Sequence, residues 1–370
     1  MKVNFVDLKA QYLSIKDEVD KAIEGVLSKT QFSAGPSVEE FEEKFAKAHK
    51  AKYCIAVNSG TSALHIALLA LDIGHGDEVI VPANTFFATP EAVSLTGAVP
   101  VFVDCEERFY NIDPEKVEKA INKKTRAITA VHLYGQPAQI DRLRAIARKH
   151  KIFLIEDCAQ AHLSEYKGKP VGTYGVAGCF SFYPSKNLGA FGEGGAVITN
   201  NKSFAKKILA LRDHGSYKKY YHDLIGHNYR MEGLQGAVLN VKMKYISKWT
   251  KTRIDNAAVY REHLDDISQI ILPELSPHGR HVYHLFVIRT KKREKLKSFL
   301  ESKGIYTGIH YPIPCHLQKA YAGLKYKRGS FPNSEKFSRE ILSLPMSEQL
   351  KKDEIIYTSK MIGEFFKTSR

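Results

Sequence analysis

The sequence predicts an α/β fold: a large unit on a mainly parallel central sheet (residues 1–240), then a smaller C-terminal α+β unit (residues 241–370). Three observations carry this expectation. Short apolar runs recur between stretches of helical spacing, the pattern of strands buried on both faces and joined by crossover helices. The first fifty residues place apolar side chains at three- and four-residue steps and contain no such run. Beyond Leu239 the alternation gives way to a long helical stretch and then to mixed elements.

Leu8, Tyr12, Ile15, Val19, Ile23 and Val26 predict one amphipathic opening helix. Ser37-Val38-Glu39-Glu40 has the form of a capping box, with Phe41, Phe45 and Ala48 as the buried face of a second helix. Tyr53–Val57 reads as the first strand, and a helix follows from about Thr61 to Leu71. Further strands are predicted at Glu78–Val81, Val99–Val103, Ala127–Val131, Ile152–Ile155, Cys179–Phe182 and Ala196–Thr199. In the second unit a long helix is expected through Trp249 and Tyr260, then a strand over Val282–Ile288 and a helix from Lys292 to Lys303. The turn Tyr311-Pro312-Ile313-Pro314 and a final helix complete the chain.

The 370 residues carry a net charge of +15, which suits anionic ligands. Basic residues are spread over helical surfaces with no recognition motif, so no nucleic-acid partner is expected. No apolar run approaches the roughly 20 residues that span a bilayer, and Met1–Asp7 lacks the apolar core of a signal peptide. The expectation is a cytoplasmic protein with no membrane partner. Five scattered cysteines without a C-x-x-C pair argue for free buried thiols and against a metal site.

The chemistry concentrates in three places. Asn58-Ser59-Gly60-Thr61-Ser62 falls between a strand and a helix, where free N–H groups and hydroxyls suit a phosphate; Ser59 acting only as a helix cap is the simpler alternative. Asp157 ends a buried strand, and Ala159, two residues on, points the same way and leaves room for a flat ring. Asp157 capping a turn is the alternative there. Lys186 follows Ser181-Phe182-Tyr183-Pro184-Ser185 and precedes Gly192-Glu193-Gly194-Gly195, where the backbone crowds something close by. A surface lysine beside a proline turn is the bland reading. Together, a lysine for a Schiff base, an acid for a pyridinium nitrogen and a phosphate-binding turn are the parts that pyridoxal 5′-phosphate requires. His162 is read either as a ligand contact or as a loop histidine, Tyr183 as a substrate neighbour or core packing, and His214 as structural.

In these segments, and in Gly226-His227-Asn228-Tyr229-Arg230-Met231 and Gly308-Ile309-His310-Tyr311-Pro312, the chain resembles the DegT/DnrJ/EryC1/StrS family of sugar aminotransferases, with the aspartate-aminotransferase-like fold (fold type I). The resemblance covers essentially the whole chain. It implies Lys186 and Asp157 as catalytic residues. It implies Gly60, Thr61, Ser62, Phe86, Ala159, Gln160 and Ser181 around the cofactor, with Phe86 on the ring face, Gln160 at its 3-hydroxyl, and Thr61, Ser62 and Ser181 on the phosphate. Asn228 resembles a residue that reaches the phosphate from a neighbouring subunit, implying a homodimer with shared active sites. Tyr183, Arg230, His310 and Tyr311 fall where relatives hold a nucleotide-sugar. The implied reaction is amination of C3 of a dTDP-3-keto-6-deoxyhexose with glutamate as donor and pyridoxamine 5′-phosphate between the two halves. C4 amination, a UDP-linked ketouronic acid sugar, or a non-catalytic regulator on the same scaffold are the alternatives.

Overall fold

A computed structural model describes residues 1–368. The N-terminal helices are α1 (Leu8–Ser14), α2 (Lys16–Lys29) and α3 (Pro36–Ala48). The alternating region runs β1 (Tyr53–Val57), α4 (Gly60–Ala70), β2 (Glu78–Pro82), α5 (Ala88–Leu95), β3 (Val99–Val103), α6 (Pro114–Ala120), β4 (Thr125–Val131), α7 (Ile140–His150) and β5 (Phe153–Asp157). After the short strands β6 (Glu165–Tyr166) and β7 (Lys169–Pro170) come β8 (Ala177–Ser181), β9 (Gly195–Thr199) and α8 (Lys202–Arg212).

Seven of these strands form one sheet in the order β1-β9-β8-β5-β4-β2-β3. Every neighbouring pair from β8 to β3 is parallel, and β9 alone runs backwards, antiparallel to both β8 and β1. Strand alternation feeds two cores. Ala56, Ile80, Ile128 and Phe180 pack with Phe41 and Phe45 of α3, whereas Ile55, Val79, Ala127 and Cys179 pack with Leu64 of α4 and Phe204 of α8. A sheet covered on both faces needs apolar residues at nearly every strand position, which is why these strands read as unbroken runs.

The remainder comprises the hairpin β10 (Ser216–Lys218) and β11 (Tyr221–His222), helices α9 (Gly233–Met243) and α10 (Ile246–Leu264), and β12 (Gly279–Arg280). Then follow β13 (Phe286–Arg289), α11 (Arg293–Ser302), α12 (Pro332–Glu340), β14 (Ile341–Leu344) and α13 (Lys352–Thr368). β13 and β14 pair antiparallel over a third core containing Tyr260, Phe286, Leu296, Leu344 and Ile362, which also takes in Val3 from the N-terminus.

Several local expectations are corrected. The opening helix is two, because Ile15 leaves helical geometry (φ −134°) and its N–H bonds to Tyr12 O. The capping box at Ser37 does not form: α3 starts at Pro36, a favoured first helical residue, and Ser37 donates its hydroxyl to Gly233 O across the α3–α9 contact. The long helix expected through Trp249 and Tyr260 is present as α10, set off from α9 by a break between Met243 and Ile246. The strand expected over Val282–Ile288 begins only at Phe286, since Tyr283 sits at φ +45° and cannot continue a ladder.

Candidate active site

The parallel sheet aims its carboxyl ends at one side, and a cavity of about 510 Å³ opens there. Ser59, Gly60 and Thr61 enter it from the turn after β1. Thr85 and Phe86 come from beyond β2, Val131 from the end of β4, Asp157 from β5 and Ser181 from β8. Ala159, Gln160, Tyr183, Lys186, His310 and Tyr311 complete most of the expected set.

Two glycines let these turns close together. A Cβ on Gly60 would stand 2.6 Å from Ser181 Cβ, and one on Gly195 would stand 2.2 Å from Ser59 O. Only glycine permits that approach. Ser59 caps α4 by accepting from Ser62 N (3.0 Å), and its hydroxyl also meets that of Ser62. The cap reading of Ser59 is therefore right, and it leaves Thr61 free at the cavity wall. Ser62 is turned away into the α4 cap and does not line the cavity.

Asp157 is buried. Its Oδ1 accepts from Ala159 N (3.1 Å), and its Oδ2 accepts from the Thr89 hydroxyl (2.8 Å). Thr89 in turn takes its hydrogen bond from Thr85 (2.8 Å), since its own proton is committed to the carboxylate. Burial pushes the Asp157 carboxyl above the usual carboxylate range, against the pull of the Ala159 N–H, Thr89 and Lys186. Across the cavity, burial draws the Lys186 amine down to about 8, with Asp157 opposing. Lys186 Nζ meets no hydrogen-bond partner among the described residues, and its backbone N–H closes the turn onto Tyr183 O (2.8 Å). An amine that gives up its proton more readily than an ordinary lysine, facing a buried acid, suits a lysine that bonds to carbonyl carbon.

Gln160 accepts from Tyr134 N (2.6 Å) and donates to the Tyr311 hydroxyl (3.1 Å). Phe86, about half exposed, faces Tyr311 with ring centroids 5.3 Å apart. His310 is held by Ser343 (2.8 Å), and burial beside Lys186 draws it down to about 4, so it is neutral. Tyr183 is half exposed at the rim rather than packed in the core. Arg230 does not reach this cavity: it pairs with Asp213. Asn228 is also outside its own chain's cavity, exposed on a segment bridged to Asp213. His162 is fully buried against Phe180 and Phe182, which removes it as a direct sugar contact. His214 is structural, accepting from His222 Nδ1 at its carbonyl (2.8 Å).

The sequence reading missed Thr85, Thr89, Glu193 and His284, all in the lining. Thr89 lies 68 positions from the carboxylate it supports, so no local motif marks it. Elsewhere His132, Glu156 and Cys158 bring ligand-type atoms within 4.8 Å of one another. The Glu156 oxygens, however, already accept from Gly172 N, Tyr174 N and Gly175 N (2.7 Å each) and from His132 Nε2 (3.1 Å). Four donors converge on that carboxylate, which makes the trio part of a hydrogen-bonded core. All five cysteines are free and buried.

The DegT/DnrJ/EryC1/StrS aminotransferase family matches residues 13–362. The chain belongs to that family. It is 43% identical to the dTDP-3-amino-3,4,6-trideoxy-alpha-D-glucose transaminase of Streptomyces venezuelae, over 98% of this chain and 96% of the relative. It is equally 43% identical to a pleiotropic regulatory protein of Geobacillus stearothermophilus, over 99% of both. The S. venezuelae DesV structure in complex with a ketimine intermediate superimposes with a TM-score of 0.97 at 43% identity, covering 98% of each chain. The protein is thus an aminotransferase dependent on pyridoxal 5′-phosphate.

The residues present fit that cofactor. The Gly60–Ser181 approach leaves a cradle that any Cβ at residue 60 would fill, at the N-terminus of α4, where free N–H groups and the helix dipole favour a phosphate. The buried Asp157, held by only two hydrogen bonds, has capacity for a cationic N–H, and Ala159 beside it is small.

Proposed function

We propose that this nucleotide-sugar aminotransferase moves an amino group from glutamate to C3 of a dTDP-linked 3-keto-6-deoxyhexose. The observation that carries the substrate choice is the likeness, over nearly the whole chain, to the S. venezuelae transaminase named for a dTDP-linked 3-amino-3,4,6-trideoxy sugar. The lining of one subunit agrees with it: among the described residues its one lysine or arginine is Lys186, so it holds no dedicated cation for the carboxylate of a uronic acid. The lysine-loop resemblance and the 3-amino product named for the S. venezuelae relative support C3 over C4.

In this reading Lys186 holds the cofactor covalently, and its freed Nζ later moves the proton at the carbon that gains or loses the amine. Asp157 holds the proton at the ring nitrogen. Thr61, Ser181 and the α4 N–H groups take the phosphate, Gln160 the ring hydroxyl and Phe86 one ring face. The bound cofactor supplies an electron-withdrawing ring that stabilises charge on the reacting carbon. The diphosphate and the dicarboxylic donor need positive charge that this lining does not provide, which favours a homodimer whose second copy contributes Arg230 for charge and Asn228 as a hydrogen-bonding group. Five free buried thiols, and the lack of any helix among the described residues long and apolar enough to cross a membrane, support a cytoplasmic enzyme. We place the division between the two structural units in the link between α9 and α10, since α9 runs through residue 240. A purely regulatory scaffold would have no use for a buried lysine with a lowered proton affinity facing a buried acid.

The test is incubation with glutamate and a panel of ketosugar nucleotides, with mass spectrometry and NMR location of the new C–N bond. Amination of the dTDP-3-keto-6-deoxy sugar at C3 is expected. Faster amination of a 4-keto isomer or of a UDP-linked ketouronate would overturn the substrate assignment.

A further inference from the structure

His284 lines the cavity beside Lys186 and His310, yet no motif marked it and the reaction outlined above does not use it. Its surroundings are unusually constrained. Asn187, the residue after Lys186, donates Nδ2 to Val282 O (3.1 Å), which leaves its Oδ1 as the acceptor facing His284 Nδ1 (3.2 Å). The proton of the imidazole is thereby fixed on Nδ1, and Nε2 carries the lone pair. Burial, reinforced by the charge of Lys186, holds the ring well below the usual histidine range, so it stays neutral.

The backbone around the ring is equally determined. Arg253 donates NH1 to the carbonyls of Tyr283 (3.2 Å), His284 (3.4 Å) and Met346 (3.1 Å). Its guanidinium is paired with Glu348 at 2.9 Å, both side chains 2% exposed. Tyr283 adopts a left-handed φ of +45°, which a tyrosine avoids unless the structure imposes it, and its ring stacks on His281 at 4.0 Å.

Among the described residues Nε2 meets no hydrogen-bond partner, and the unpaired Lys186 amine in the same cavity does not fill the role. A fixed neutral acceptor with no partner in the protein calls for a donor on a ligand. The two ligands differ in what they offer. Once the amino acid has committed its amine it presents only carboxylates, which a lone pair repels, whereas a sugar presents hydroxyls.

We propose that His284 is a sugar-recognition residue whose Nε2 accepts a hydrogen bond from a hydroxyl of the ketosugar. This rests on the nucleotide-sugar reading of the cavity. Two polar variants separate the atoms involved. In His284→Asn the short amide reaches Asn187 as Nδ1 does but leaves nothing at Nε2, while His284→Gln restores an acceptor near Nε2. The two half-reactions are followed separately by the cofactor's absorbance, and affinity for the ketosugar nucleotide is measured by titration of the pyridoxamine-loaded enzyme.

The expected result is a loss of about tenfold in ketosugar affinity and KM for His284→Asn, the size of one hydrogen bond. The glutamate half-reaction should stay within about twofold, and His284→Gln should recover most of the loss. Equal losses in both half-reactions, or equal behaviour of the two variants, would show a structural role and overturn the proposal. Unchanged ketosugar affinity in His284→Asn would do the same. A wild-type enzyme that binds no nucleotide-linked ketosugar would remove the substrate reading and this inference with it.

Discussion

Glu156 and Asp157 stand next to each other at the end of β5, and strand alternation sends them to opposite faces of the sheet. Both are buried, yet they do different work. Glu156 is saturated by three backbone N–H groups from the Gly172–Gly175 turn and by His132, and so ties the approach to β8 onto β5. Asp157 receives two donors, opens onto the cavity and faces Lys186. A buried carboxylate with every lone pair filled is a fastening. One with capacity to spare, beside a displaced amine, is a reagent. A second contrast agrees: a groove of about 540 Å³ at the other end of the sheet, lined by Lys123, Arg126, His150 and Lys151, is as large and more basic. It lacks any such facing pair, so neither size nor charge distinguishes the site.

The largest expected effect is at Lys186. Lys186→Ala should lose all measurable turnover and all cofactor fixed by borohydride, while still binding the cofactor reversibly. Covalent retention in that variant would assign the bond to another lysine.

The two acids come next and test the contrast directly. Asp157→Asn should lower turnover by about a thousandfold, the scale of losing a preorganised charge contact, with stability of the cofactor-free protein unchanged or raised. Glu156→Gln should do the reverse. Its NH₂ would face N–H donors, costing about 3 kcal/mol in denaturant unfolding, while the surviving folded enzyme keeps most of its activity. A stable but inactive Glu156→Gln would erase the distinction between them.

Asn228 should act across the interface. Mixing Asn228→Ala with Lys186→Ala subunits places both defects in one site of the heterodimer and leaves the other intact, so activity should recover towards half that of an intact dimer's sites. No recovery, with heterodimers shown by native mass spectrometry, would contradict a trans role.

The smallest effect is in pH dependence. Lys186 is drawn from the ordinary 10.5 to about 8 in the folded protein, so its burial penalty is fully present below about 8. Between about 8 and 10.5 the unfolded chain binds the proton that the folded chain has shed, and stability of the cofactor-free protein should rise with pH. The buried Lys242, also drawn to about 8, contributes in the same sense. Lys186→Met should flatten, without abolishing, that rise in denaturant titrations; an unchanged slope would mean that the lysine titrates normally.

The strand runs, the glycine-bearing turn at Ser59–Thr61, the acid at the end of β5 and the lysine loop were all legible in the sequence. Each depends on residues a few positions apart, whose spacing dictates local geometry. The helix interruption at Ile15 was not legible, because apolar periodicity continues across it while the backbone leaves helical geometry there.

What the sequence by itself determined is the set of reactive groups and the sheet that carries them to one edge. What only the tertiary structure decided is the environment of those groups: Thr89 reaching Asp157 from α5, Asn187 orienting His284 from 97 positions away, and the saturation of Glu156. These contacts join segments remote in the chain, and hydrogen-bond saturation and burial exist only once those segments have met. A carboxylate's neighbour in sequence says which strand carries it; its neighbours in space say whether it can react.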